Sequence, residues 1–385
     1  MMVEIRGVSF VNKGAELMLY AILQKISEQW PNADFVMEPR GYSTPYAERA
    51  KLGLYQKPMF PEHELLFNLM RFFIPDKLWK QYGVVYDSEV DVVLDASGFA
   101  YSDQMGEKKS ILLAKAVKKW KRQGTKIILL PQAFGPFSSP TIRNAVKVIV
   151  EHTDIIFARD KISYDYLTEV AGERENIKIA PDFTNLVNGI FPESFDRNKN
   201  RFCIVPNQKM IDSTSPEKSA LYVPFLISCL KILKEKGENP FLLVHCRKDA
   251  DLAKLVVTGF GEPLEIVFES NPLVIKGILG ACSGVISSRF HGLVSALSQG
   301  VPSLATGWSH KYKMLFEEYR LEDGLIEPGA DISEIKAIIN KATDADTRQS
   351  IREKLKARSE DLKKKKRSYV AGSHCFDKKL KNVYL

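Results

Sequence analysis

Short apolar runs alternate along most of the chain with longer stretches in which apolar residues recur every three or four positions. The runs read as strands: 3–11, 33–38, 90–96, 126–132, 154–158 and 176–182 in the first half. Between them the spacing predicts helices from Ala15 to about Gln29, near 107–123, near 139–151 and from about Lys161 to Val170. The second half starts the alternation again. Strands are expected at 201–207, 240–246, 263–269 and 284–288, with a long helix running to about Lys236. A further helix near 273–281 has Asn271 as cap and Pro272 at its first position. Continuous apolar strands separated by helices indicate parallel sheets covered on both faces. The polar, turn-rich segment 188–200 reads as the connector between two α/β domains, 1–190 and 200–345, followed by a basic helix and tail, 346–385. Two such domains imply a cleft lined by strand ends.

One stretch breaks the pattern. Residues 62–82 are rich in Leu, Phe, Trp and Tyr, with Arg71, Lys77 and Lys80 interspersed. They read as a helical insertion, near 60–83, packed on the first domain or on a partner subunit; a helix lying on a membrane surface has the same spacing.

Composition narrows the class. The chain has 385 residues, 45% hydrophobic and 26% charged, as in an ordinary globular protein. No apolar run reaches the roughly 18 residues needed to span a bilayer, and the N-terminus reads as a strand rather than a signal peptide. A cytoplasmic location is expected, with the inner face of the cell membrane as the place where a basic tail would act. The five cysteines, Cys203, Cys229, Cys246, Cys282 and Cys375, form no CxxC pair and read as free thiols. The six histidines do not cluster, so no metal is expected. Residues 346–385 hold 13 Lys/Arg and 5 Asp/Glu, an excess equal to the net charge of +8 for the whole chain. This tail suits a solvated helix end or contact with anionic lipid. No aromatic-basic module supports nucleic acid.

The densest chemistry lies in residues 283–306. The strand at Val285-Ile286 leads into a small polar turn holding Ser288, Arg289, His291 and Gly292. Leu293 to Leu297 form an apolar stretch of helical length, Gly300 fits its stop, and Val301-Pro302 opens the next strand. A strand-to-helix loop faces the carboxyl edge of a parallel sheet, where such folds bind ligands. A helix start favours an anion, Arg289 adds a fixed cation, and His291 carries a proton near neutral pH. If 288–292 is extended, Arg289 and His291 share one side. Lys311 and Lys313, past the next strand, suit the same anion or a solvated face.

Other strand ends carry weaker candidates. Asn12 shapes the first loop, and Glu16 either orients a sugar hydroxyl, acts as a base, or stabilises the helix start. G-x-G-x-x-G and P-loop patterns are absent. Asp95, Ser97 and Asp103 suit sugar contact or loop solubility, and Gln132 follows a strand. Arg159 points to a cleft or to an Arg–Asp pair, Asp160 reads as a helix cap, and Asp182 again follows a strand. His245, in an apolar run, reads as a core residue.

Through SSRFHGLVSALSQGVPSLATGWSHKYK (287–313) the chain resembles the polysaccharide pyruvyl transferase family. Asn12 to Glu16, Gly135-Pro136, Arg159-Asp160 with Ser163, and Pro181-Asp182 fall in the family's order. The family's glycine run after the third sheet segment is Asp95-Ala96-Ser97-Gly98 here. The resemblance implies two Rossmann-like domains facing a cleft, as in the GT-B glycosyltransferases. It implies phosphoenolpyruvate as donor on the C-terminal side and a saccharide acceptor, in this family at times lipid-linked, on the N-terminal side near Asn12 to Glu16. The product would be a pyruvate ketal across two hydroxyls, in surface or capsular polysaccharide synthesis, with phosphate released and no cofactor. On this reading Arg289, Lys311 and Lys313 hold the donor, His291 is the general acid, and Glu16, Asp95 and Asp182 are candidates for the base. Two other readings fit the fold: a sugar-nucleotide glycosyltransferase and a non-catalytic saccharide-binding protein.

Overall fold

The computed structural model describes residues 1–58, 75–199 and 201–371. Its contacts divide the chain after Phe183 into two units.

The first unit comprises Met1–Val11 and Met18–Phe183. Its strands are β1 (Met2–Arg6), β2 (Asp34–Met37), β3 (Tyr55–Gln56), β4 (Val92–Asp95), β5 (Lys126–Gln132), β6 (Ile155–Ala158) and β7 (Ile177–Ile179). They form one parallel sheet in the order β3-β2-β1-β4-β5-β6-β7. Between them run α1 (Lys13–Gln29), α2 (Tyr46–Lys51), α3 (Asp76–Gln81), α4 (Glu107–Arg122), α5 (Pro140–His152) and α6 (Lys161–Ala171). Helix α1 begins in residues that pack with the other unit. Every residue of β4 and β6 is buried, as expected for strands covered on both faces. Helix starts follow local chemistry. The Asp160 carboxylate accepts from the Ser163 N–H (2.7 Å) and caps α6, as the sequence suggests; such a cap contributes about 1 kcal/mol.

The second unit comprises Asn12–Leu17 and Thr184–Ala371. Its strands are β8 (Phe202–Val205), β9 (Pro240–Val244), β10 (Ile266–Phe268), β11 (Gly284–Ser287) and β12 (Ser303–Ala305), parallel in the order β10-β9-β8-β11-β12. The helices are α7 (Lys209–Asp212), α8 (Pro216–Glu235), α9 (Ala250–Phe260), α10 (Pro272–Ala281), α11 (Phe290–Leu297), α12 (Lys311–Tyr319), α13 (Ile332–Thr343) and α14 (Ala345–Ala371). The long helix expected to end near Lys236 is α8, which Ser215 caps, Pro216 opens and Glu235 ends. Asn271 caps α10, accepting from Leu273 N–H at 2.9 Å.

The segment read as a connector is packed within the second unit. Ile190 N–H donates to Leu273 O (2.9 Å), and a Cβ on Gly189 would lie 2.4 Å from Gly277 N. Phe195 is buried beside Phe241. The first stretch of the basic terminus is also packed. Leu355 and Leu362 of α14 join Phe290, Leu293 and Phe316 in one apolar cluster. Of the aromatic insertion, only Asp76–Gln81 is described as helix; 59–74 lie outside the described residues, as do Lys378, Lys379, Lys381 and Cys375. The other four cysteines are buried free thiols. No described helix is long and apolar enough to cross a membrane.

Candidate active site

The loop after β11 is fixed by its own serines. Ser287 Oγ accepts from Arg289 N–H (3.0 Å) and donates to Arg289 O (3.1 Å). Ser288 is buried and fully engaged: its carbonyl accepts from Asn207 Nδ2 (2.6 Å) and the Tyr312 hydroxyl (2.7 Å), and its hydroxyl accepts from Tyr222 (2.7 Å). It therefore braces the loop. Gly292 leaves room for this brace, because a Cβ there would lie 2.9 Å from Ser287 Oγ.

Helix α11 starts at Phe290, three residues earlier than the expected Leu293. The Ser287 turn already folds the backbone, so 288–292 is not an extended run. Arg289 and His291 nevertheless both lie near His245, whose pKa the charges of both lower. Arg289 is the N-cap, and no side chain caps the helix. Its guanidinium forms a two-point pair with the fully buried Asp249 carboxylate, Nε to Oδ2 at 2.9 Å and Nη2 to Oδ1. Burial works against that charge, and Asp249 more than offsets it, so the Arg289 pKa is raised. Asp249 Oδ1 also accepts from Gln208 N–H at 2.9 Å.

His291 turns toward the first turn of α1. A Cβ on Gly14 would fall 2.5 Å from His291 Nδ1, so only glycine fits there. The turn is held in the second unit by a bridge between Asn12 and Cys246 and by Lys13 N–H donating to His245 O (3.3 Å). Asn12 Oδ1 accepts from Gly14 N–H (3.1 Å), and the buried Glu16 pairs with Lys13 Nζ at 2.5 Å. Asn12 and Glu16, assigned to the saccharide side by the resemblance, thus pack in the unit that holds His291. His245 completes the group. Burial first, then the charges of Arg289, His291 and Lys13, push its pKa well below the usual value, so it is neutral.

The two lysines behave differently. Lys311 Nζ lies 4.6 Å from the Trp308 ring centroid and 5.5 Å from that of Tyr312. This aromatic setting stabilises its charge. Lys313 is exposed and 3.8 Å from Glu317.

Three predicted residues belong to the first unit. Arg159 and Asp182 form a buried ion pair at 3.3 Å. Asp95 accepts from the Tyr101 hydroxyl (2.8 Å) and Ser97 N–H (3.1 Å), with Gln132 Nε2 at 3.3 Å. Burial, then the Asp95 charge, raises the Tyr101 pKa, so the phenol stays protonated.

The family model for polysaccharide pyruvyl transferase matches residues 12–310, which include Asn12, Glu16, Asp249, Arg289 and His291. The chain belongs to the polysaccharide pyruvyl transferase family. No curated protein matches it. Among solved structures, Anabaena Alr3699/HepE in complex with UDP and glucose is similar over 97% of this chain and 99% of that one, at 13% identity and a TM-score of 0.57. A putative UDP-N-acetylglucosamine 2-epimerase from Listeria monocytogenes covers 97% of each chain at 10% identity and a TM-score of 0.58. A glycosyltransferase from Rickettsia africae covers 96% of this chain and 97% of that one at 13% identity and a TM-score of 0.56. At such identities the likeness concerns the fold, which is that of the GT-B glycosyltransferases.

In this family member the site places a charge-locked arginine, an uncapped helix start and two histidines, one of them neutral, in one unit. Asp249, Gln208 and Asn207 were missed from sequence. The signal for Asp249 was the end of strand 240–246, which placed His245 but said nothing of which carboxylate would meet Arg289 forty residues on.

Proposed function

We propose that the protein transfers the enolpyruvyl group of phosphoenolpyruvate to a saccharide and closes it into a pyruvate ketal. The observation that carries this reading is the Arg289–Asp249 pair at the uncapped start of α11, with His291 in its first turn. Phosphoenolpyruvate brings a phosphate and a carboxylate. The locked guanidinium and the positive end of the helix start suit one of them. His291 delivers a proton to the methylene carbon, which becomes a methyl group. The adjacent carbon turns electrophilic, and a sugar hydroxyl adds to it while a base takes the hydroxyl proton. Phosphate then leaves, and the second hydroxyl closes the ring with loss of its own proton.

The test is phosphate release from phosphoenolpyruvate with a panel of galactosides and mannosides, with the ketal methyl group followed by NMR. His291→Ala should lower turnover about 10²–10⁴-fold, the usual contribution of a general acid, and leave the fold intact. Near-normal turnover would remove His291 from that role. A second reading, a sugar-nucleotide glycosyltransferase, has in its favour the UDP in the Anabaena relative's structure. Turnover with UDP-sugars and none with phosphoenolpyruvate would decide for it.

A further inference from the structure

His245 is the first residue past the carboxyl end of β9, and its sequence context reads as core. It is buried, with 2% of its surface exposed, yet it is not satisfied as a core histidine is. A contact of the ring with its own backbone aside, Nδ1 is closed off from solvent and has no hydrogen-bond partner among the described residues. Buried polar atoms are nearly always paired, so an orphan calls for an explanation. An apolar side chain would fill the same place without an unpaired nitrogen. The imidazole therefore suits a group that the chain itself does not supply.

The surroundings narrow what that group is. Main-chain bonds pin the residue. Its carbonyl accepts from Lys13 N–H (3.3 Å), and Cys246, next in the chain, bridges to Asn12 and accepts from Asp249 N–H (2.7 Å). The same short loop delivers Asp249 to Arg289, the N-cap of α11. His245 thus lies at the carboxyl edge of the five-stranded sheet, where such folds bind ligands. It is near the start of α11, since the charges of Arg289 and His291 both act on its ring. No side chain caps that helix, and its positive end favours an anion. Burial first, then the charges of Arg289, His291 and Lys13, hold the ring neutral. A neutral imidazole carries one N–H and one lone pair. With the proton on Nδ1, it offers an anion a hydrogen bond without placing another cation in the site.

We infer that His245 binds the donor: its Nδ1–H donates to an oxyanion of phosphoenolpyruvate held at the start of α11. The inference deepens the proposed function and rests on its donor site. The two histidines then differ in role. His291 gives its proton to carbon, whereas His245 keeps its proton and holds the anion.

The experiment uses the full chain, calorimetric titration at neutral pH and three probes: phosphoenolpyruvate, inorganic phosphate and pyruvate. His245→Leu should keep or raise the melting temperature, because it removes a buried polar atom without a partner. It should weaken phosphoenolpyruvate binding about tenfold to a hundredfold, the usual effect of losing a hydrogen bond to a charged group. His245→Asn sets an amide N–H near the place of Nδ1–H, and His245→Gln sets it farther out. The Asn variant should therefore bind about fivefold or more tightly than the Gln variant; a residue that only fills space would show no such order. If the Leu variant does not fold, this order decides alone. A loss seen with inorganic phosphate and not with pyruvate assigns Nδ1–H to the phosphoryl group, and the reverse assigns it to the carboxylate. Unchanged phosphoenolpyruvate affinity in the Leu variant, or equal losses in the Asn and Gln variants, overturns the inference and leaves pyruvyl transfer standing. Anion affinity that depends on His245, with no turnover of phosphoenolpyruvate, keeps His245 in its role and removes the pyruvyl transfer. No binding of any probe by the wild type overturns both.

Discussion

At the scale of single residues, the site is governed by which charges are locked and which can change. Arg289 is fixed by Asp249, whose carboxylate is entirely buried. Breaking such a buried pair leaves an uncompensated charge. His245 is the complementary case, an imidazole that the fold keeps neutral. Its folded-state pKa is depressed below the unfolded value of about 6.5, so between the two values the unfolded chain binds the extra proton. Stability is therefore fully present above pH 6.5 and falls as the pH drops below it. One such proton sets a limiting slope of about 1.4 kcal/mol per pH unit. Comparing wild type with His245→Gln by thermal melts from neutral to mildly acidic pH isolates this contribution. The wild type should lose more stability than the variant as pH falls; parallel curves would mean that His245 titrates normally in the folded protein.

At the scale of elements, the sequence showed where helices and strands would fall and left open what their ends would touch. Asp160, Ser215 and Asn271 cap helices because a short side-chain oxygen next to a helix start finds an N–H two or three residues on. That rule is local, so it reads from sequence. The start of α11 does not, because a serine-closed turn and a polar strand exit have the same composition, and only Ser287 bonding to Arg289 decides between them. Arg289 and His291 were legible as candidates from their place after β11. Asp249 was not, because the pairing reaches from the loop after β9 across β8 to the loop after β11. The first turn of α1 shows how closely such ends fit. Gly14→Ala should favour the helix by up to about 1 kcal/mol, yet its methyl group needs the space of the His291 ring. We expect the clash to outweigh that gain, with a lower melting temperature and turnover reduced at least about tenfold, since misplaced general acids lose their contribution steeply. An active Gly14→Ala enzyme would show that His291 need not hold its present position.

At the scale of the whole molecule, the division into two parallel-sheet units was legible because each half repeats strand and helix with its own apolar strands. The assignment of the short first loop was not legible. Asn12–Leu17 is separated from the rest of the second unit by residues 18–183 in sequence, and joins it through the bridge to Cys246, the Lys13 N–H bond to His245 O and the fit of Gly14 on His291. Periodicity reports what a segment is, never which remote sheet it will meet. This exchange has a consequence for dissection. A fragment of residues 184–371 keeps the five-stranded sheet and its three apolar clusters, so it should unfold in one cooperative transition. It lacks the turn that packs on His291, and should bind phosphoenolpyruvate about tenfold or more weakly than the full chain. Appending residues 12–29 through a flexible Gly/Ser linker should restore most of that affinity, because a tethered segment meets its site at high effective concentration. If the fragment alone binds as tightly as the full chain, the first turn of α1 supports neither the donor nor the imidazole. If the appended helix restores nothing, the loss arises elsewhere in the first unit.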